Sequence, residues 1–507
     1  MDTGHSADSL IVPILLRKHA DGSLNYTRIL ATLAVVYIGV LLLQALARAF
    51  TSPLRHVPGP SWSRFTRLPL KKAIVSGRRI FFIDDLHRKY GDVVRIAPDE
   101  VSVADVDGFK KIHSVSSKFV KDGWYEELTI FPRQSVFTMQ NKELHSARRK
   151  LFAKGFSKTY LRENYEGIIA EKARLAVEGI KKRALAGPVD ILQWWTFLAT
   201  DTVGQLGFGE SFGMLEKGEK TDYIMTLERA LVGNGIGAEM PLIRTIGSLL
   251  PGKVPKQMFK ATDYILEYGQ KAVDNAKSQK SETNLMANVL KEAEKENSSL
   301  DDLDVRVEAT SLIFAGSGTT ANTLSYFIWS VLKDPSLQEK IEDEVAKLPA
   351  DFKDVDLEKL RWMNATLEET LRLYAAVPGS LPRIVPKGGV TIAGHYIPEG
   401  TTVGTQAYTL HRKEGIWPDA HSFKPERWLK ESDLSAAAKT VMSAFGAGAY
   451  TCLGIHIAYM EMRYAAALFF RECRGAKLAA STTDKSMEMQ NYFVITPKSH
   501  MCEITLQ

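Results

Sequence analysis

The sequence predicts a mainly helical α+β protein with a minor sheet, carried behind one membrane-spanning helix. Three observations predict this: an uncharged apolar run near the front, helical patterning over most of the remainder, and a few short β-like pieces set off by glycine and proline. The chain has 507 residues, 45% hydrophobic and 24% charged. That globular composition excludes disordered, collagenous and coiled-coil classes. Its length allows two or three domains or one large one, and no long linker, repeat or low-complexity tract divides it after about residue 70. The formal net charge of +6 is spread along the chain, without the basic arm of nucleic-acid binders. A mild surplus of this kind suits an acidic partner or an anionic membrane face.

Ile29 to Phe50 read ILATLAVVYIGVLLLQALARAF. About 19 residues from Ile29 to Ala47 are uncharged, close to the minimum for crossing a bilayer. No small-x-small cleavage site follows. Arg48, Arg55, Arg64, Arg67, Lys71 and Lys72 outnumber Arg17, Lys18 and Arg28, which places the bulk of the chain on the cytoplasmic side. The expected organisation is a short lumenal N-terminus over 1–28, an anchor over 29–50, a Pro-rich linker over 51–69 and one large domain over 70–507. Asn25-Tyr26-Thr27 matches a glycosylation sequon, but its closeness to the membrane predicts that it is unused.

Within the large domain, strands are expected near Val93–Ile96, Val101–Val103, Val390–Ile392 and Thr402–Thr405, with turns at Gly394 and Pro398-Glu399-Gly400. The polar stretch 291–304 reads as a solvated connection. A long apolar helix is expected from about Asp304 to Lys333, ending at Asp334-Pro335. Its centre, Ala315-Gly316-Ser317-Gly318-Thr319-Thr320, is poor helix-forming material. Two readings stand open there: a local opening that turns hydroxyls into a cavity, or a close helix–helix contact.

The three cysteines, Cys452, Cys473 and Cys502, form neither a disulfide framework nor a zinc knuckle. Any essential one acts singly. Phe445-Gly446-Ala447-Gly448-Ala449-Tyr450-Thr451-Cys452-Leu453-Gly454 is the informative setting. Its glycines allow a tight turn, and a buried helix follows, which biases Cys452 toward thiolate. Upstream, Glu369 and Arg372 lie three apart on one helix face, and Phe423-Lys424-Pro425-Glu426-Arg427-Trp428 follows.

In this order, AGxxTT, ExxR, PERW and FxxGxxxCxG resemble the cytochrome P-450 superfamily of haem-thiolate monooxygenases, and the resemblance runs from the anchor through Gly454. It implies the cytochrome P-450 fold, with 70–507 as the haem-binding catalytic domain. Cys452 is then expected to be the axial haem-iron ligand, its thiolate donating electron density to the iron. Phe445 and Gly446 would flank the sulfur, while Glu369, Arg372 and Arg427 would form a structural ion network. Arg383, His145, Arg149 and Tyr450 fall where the family holds the haem propionates. Thr319, with Gly318 and Thr320 beside it, falls on the oxygen side.

Three departures from the family pattern stand out: Gly318 replaces an acid that relays protons, Tyr450 replaces an Arg or His, and His145 replaces a Trp. By family position the substrate pocket draws on Phe119–Met139, Phe314-Ala315, Val377–Leu381 and Tyr492-Phe493-Val494.

The implied function is insertion of one atom of O2 into a hydrophobic small molecule. The cofactors are haem b and O2, with NADPH electrons delivered by a flavoprotein reductase. Arg148, Lys150 and Arg463 are candidates for docking that reductase. The expected location is the endoplasmic-reticulum membrane, single-pass, with no nucleic-acid partner. General similarity is greatest to fungal tailoring enzymes of secondary metabolism, with an alkaloid or terpenoid scaffold first and a polyketide next. The alternatives are a haem-thiolate isomerase or dehydratase that needs no reductase, and a non-enzymatic single-pass binding protein without haem.

Overall fold

The computed structural model describes residues 26–129, 131–278 and 284–506. The stretch 1–25, with Asn25 and most of the expected lumenal segment, lies outside the described residues. Helix α1 spans Tyr26–Thr51. Its stretch Ile29–Thr51, with a mean hydropathy of 2.4 and Ala49 its one buried residue among those described, is long and apolar enough to cross a membrane. It has no amphipathic stripe with which to join a core.

Residues 51–69, expected to be a stiff linker, are folded onto the domain. Two 3-10 turns, Pro53–His56 and Ser61–Arg64, carry Leu54 and Val57 into an apolar cluster with Val93, Val101 and Val103. Arg95 N donates to Pro58 O at 2.7 Å. Proline stiffens this segment, and burial of its apolar side chains fixes where it goes.

The main sheet contains β1 Val93–Ala97, β2 Glu100–Val103, β3 Val120–Lys121, β4 Arg383–Ile384 and β5 Thr402–Gly404, in the order β1-β2-β5-β4-β3. β2 runs parallel to β5; the other pairs are antiparallel. In the β3–β4 pair, Lys121 stands directly opposite Arg383. A separate hairpin joins Val390–Ile392 to His395–Ile397. Its two turn residues, Ala393 and Gly394, have φ of 44° and 80°, the left-handed pair that a tight hairpin demands.

Helices make up most of the fold. Those that position the site are α2 Lys142–Ala153, α3 Ile191–Phe208, α4 Asp222–Glu239, α5 Asp302–Leu332, α6 Arg361–Leu373 and α7 Ile455–Glu472. α5 opens with a capping box between Asp301 and Asp304, which satisfies free N–H groups at its start. At 31 residues it is about 46 Å long and crosses the domain. Phe197 of α3, Leu324 and Phe327 of α5 and Phe469 of α7 are all fully buried in one cluster.

The centre of α5 does not open. Ser317 Oγ donates to Ile313 O at 2.7 Å and Thr319 Oγ1 to Ala315 O at 2.8 Å, so the hydroxyls back-bond along an intact helix. The two glycines divide the two expected roles. A Cβ on Gly316 would lie 3.1 Å from Val203 of α3, whereas one on Gly318 would meet nothing within 4 Å. Gly316 is the close helix contact, and Gly318 faces open space.

Candidate active site

The cysteine loop is shaped by two left-handed glycines, Gly446 at φ 74° and Gly448 at φ 65°. A Cβ on Gly448 would lie 1.8 Å from His113 O, so no other residue fits. Cys452 N donates to Phe445 O at 2.8 Å and closes the loop. Gly454 caps α7. Cys452 is accessible from the cleft although it is densely surrounded on the protein side. Its surroundings therefore push the thiol up, while the Gly454 N–H and the Arg149 charge pull it down. The net shift is upward, against the expected bias toward thiolate: crowding by the surrounding protein outweighs the helix start. Phe445 packs at 5.3 Å on Tyr459 of α7. Cys473 and Cys502 are buried, and burial raises the Cys473 thiol to about 12.

Behind this loop, Glu369 and Arg372 on α6 are wholly buried. Arg372 donates to both carboxylate oxygens of Glu369, at 2.8 and 2.7 Å, and to the carbonyls of His411, Ala420 and Ser422. Glu369 also accepts from Lys424 N, Arg427 Nε and Trp428 Nε1. The network joins α6 to the segment 411–428.

On the other side stands a group of cations. Arg383 is buried, donates to Tyr125 Oη at 2.6 Å, and keeps a buried Nε without a partner. Lys121 is buried, and its ammonium is held by the carbonyls of Val136 and Phe137. Both charges lie 4.7 Å from the centre of the Tyr450 ring, and the Tyr450 hydroxyl is buried without a partner. His145 meets the same ring edge-on at 4.7 Å. Burial, then Lys121, Arg149 and Arg383, lower His145 to about 4, so it is neutral at pH 7.

These features fit a haem. Thiolate is an established haem-iron ligand, and the cations with orphaned donors suit the group's two carboxylates. Among the described residues no three His, Cys, Asp or Glu side chains gather as a metal site.

A small pocket lies between Thr129, Phe131, Leu227, Ala230, Ile265 and Phe314, so it draws on two of the expected pocket segments. Thr320 is buried, and Glu461 of α7 lies within reach of its hydroxyl. Burial raises the Glu461 carboxyl to about 8. Two of the expected reductase-docking cations are spoken for. Arg148 is buried, bonded to Glu308 at 2.7 Å and 3.6 Å from Asp304. Arg463 is half-buried against Asp354 and Glu358. Lys150 alone of the three is exposed. Basic residues on amphipathic helices read alike in sequence whether they face water or a buried acid, and the long-range partners Glu308, Lys121 and Tyr125 carry no local motif.

The fold and site define a haem-thiolate enzyme. The cytochrome P-450 family matches residues 57–504, and the chain belongs to that family. It is 39% identical to cytochrome P-450 monooxygenase stcB of Emericella nidulans over 91% of this chain and 90% of that protein. It is 39% identical to cytochrome P-450 monooxygenase aflV of Aspergillus parasiticus, over 92% and 94% of the two chains, and 31% identical to the averantin hydroxylase of Dothistroma septosporum, over 86% and 83%. The protein is a monooxygenase, an oxidoreductase of oxidative tailoring in fungal secondary metabolism. Its family uses haem and O2 and works with a reductase.

Proposed function

We propose that this chain hydroxylates a hydrophobic small molecule at a haem b held by Cys452, with NADPH electrons relayed by a flavoprotein reductase, at the endoplasmic-reticulum membrane. The observation that carries the reading is the Cys452 loop, which brings one accessible thiol to a cleft that also presents Arg383, Arg149 and Tyr450. The averantin hydroxylase among the relatives supports hydroxylation as the outcome. The single apolar helix α1 supports a membrane anchor, with residues 52–507 on the cytoplasmic side.

When bound, haem supplies the binding and reduction of O2, which no side chain can perform. The chain holds, orients and protonates. Arg383, Arg149, His145 and Tyr450 are assigned to the propionate side, and Phe445 and Gly446 to the sulfur. Glu369, Arg372 and Arg427 fix the segments beneath. Thr319 Oγ1 donates to Ala315 O, which leaves its oxygen able to accept a hydrogen bond. Open space at Gly318 accommodates a water where the family carries an acid. Thr320 stands beside the buried Glu461.

The test is stoichiometry. Purified protein with a reductase should consume one NADPH and one O2 per hydroxylation. Product formed without either would instead support the isomerase or dehydratase alternative.

A further inference from the structure

Lys121 is a buried cation with no ion pair of its own among the described residues. Burial, then Arg383 and Arg149, push its ammonium well below the ordinary lysine range, and the carboxylate that acts the other way, Glu308, is already bonded to Arg148. Its ammonium meets only carbonyl oxygens and aromatic rings. Directly across the β3–β4 pair stands Arg383, equally buried and also outside any ion pair among the described residues. Like charges opposite one another destabilise a sheet, and a buried unpaired charge costs several kcal/mol. Yet this pair is built into the register, and both members converge on the Tyr450 ring. Arg149, half-buried nearby, adds to the same field. An arrangement of this kind is stable when an anion completes it.

We propose that Lys121 is a haem-carboxylate ligand, supplying the charge that Tyr450 lacks in place of the family's Arg or His. The proposal rests on haem binding as read above. Tyr450 then serves as an apolar platform that holds two cations apart, and its hydroxyl adds one neutral hydrogen bond. Sequence comparison at position 450 alone implies a weakly held propionate; the cross-strand pair removes that deficit.

Haem transfer to apomyoglobin, followed at the Soret band of the full-length protein in detergent, tests this without reference to turnover. Lys121→Gln keeps a donor for the Val136 and Phe137 carbonyls and removes the charge. It should release haem about 10- to 100-fold faster, the equivalent of one charge-assisted hydrogen bond, and Lys121→Arg should restore most of the loss. With iron protoporphyrin dimethyl ester, whose carboxylates carry no charge, wild type and Lys121→Gln should release the group at the same rate. Equal release of ordinary haem by both proteins overturns the proposal, as does the same acceleration with the diester, which would make Lys121 a packing residue. A wild-type protein that takes up no haem overturns the reading beneath it as well.

Discussion

Arg372 grips both oxygens of Glu369, at 2.8 and 2.7 Å, with neither side chain reaching solvent. Three residues apart on α6, the two form the hub through which α6 holds the carbonyls of His411, Ala420 and Ser422. An exposed i,i+3 pair contributes about 0.2–0.5 kcal/mol. Leaving one buried partner unpaired costs about 3–5 kcal/mol. Arg372→Ala should therefore accumulate little haem-loaded protein, read as the ratio of Soret to protein absorbance. Normal occupancy would mean that the network does not support the cysteine loop.

The two glycines of α5 should respond in opposite ways. Alanine is favoured over glycine in a helix by about 0.5–1 kcal/mol. Gly318→Ala meets nothing and should gain that much. Gly316→Ala presses on Val203 at 3.1 Å and should gain less or lose. Melting temperatures of the two variants give the comparison.

Much of this was legible in the sequence. The long helix, the strands near residues 93–103 and 390–404, and the Glu369–Arg372–Arg427 constellation follow from periodicity, turn residues and motif order. Spacing does not report tertiary partners. Arg148 and Lys150 lie two apart on α2, yet one is buried against Glu308 and the other is exposed, because acids on α5 face only one of them. Lys121 was illegible for the same reason: its register with Arg383 joins segments more than 250 residues apart. In the 51–69 segment the prolines announce stiffness but leave the docking of Leu54 and Val57 unstated.

That segment sets where a truncation can fall. Removing residues 1–50 should release the protein from microsomes and leave haem binding intact. Removing residues 1–60 also strips Leu54, Val57 and the Pro58 carbonyl from the sheet. Each buried side chain contributes about 1.5–3 kcal/mol, so the longer truncation should melt earlier. Equal melting temperatures would mean that the contacts at Leu54 and Val57 contribute nothing.

Glu461 should give stability a pH slope. Its carboxyl is raised from 4.5 to about 8, so the folded chain keeps a proton that the unfolded chain loses near its ordinary value. The stabilisation is complete below about 4.5 and is lost as pH rises through about 8, on the order of 5 kcal/mol in all. Glu461→Gln stays neutral and should flatten that part of the slope. Denaturant midpoints at pH 5 and pH 8 provide the measurement; an unchanged slope in the variant would place the titration elsewhere.

Thr319→Ala should uncouple the enzyme, with NADPH consumed and peroxide released in place of product. Thr319 Oγ1 already donates to Ala315 O, so it acts by accepting from a water in the open space at Gly318, and losing that water costs part of the roughly 10²–10⁴-fold that a positioned proton donor contributes. Product formed per NADPH is the readout. Unchanged coupling would make Thr319 a packing residue.

The central claim is that Cys452 holds the iron. Its direct measurement is the absorbance spectrum of the reduced, carbon-monoxide-treated protein, wild type against Cys452→Ser. The wild type should show the red-shifted Soret band of a thiolate-ligated haem, and the variant should lack it even where haem is still taken up. The same red-shifted band in Cys452→Ser would contradict the assignment.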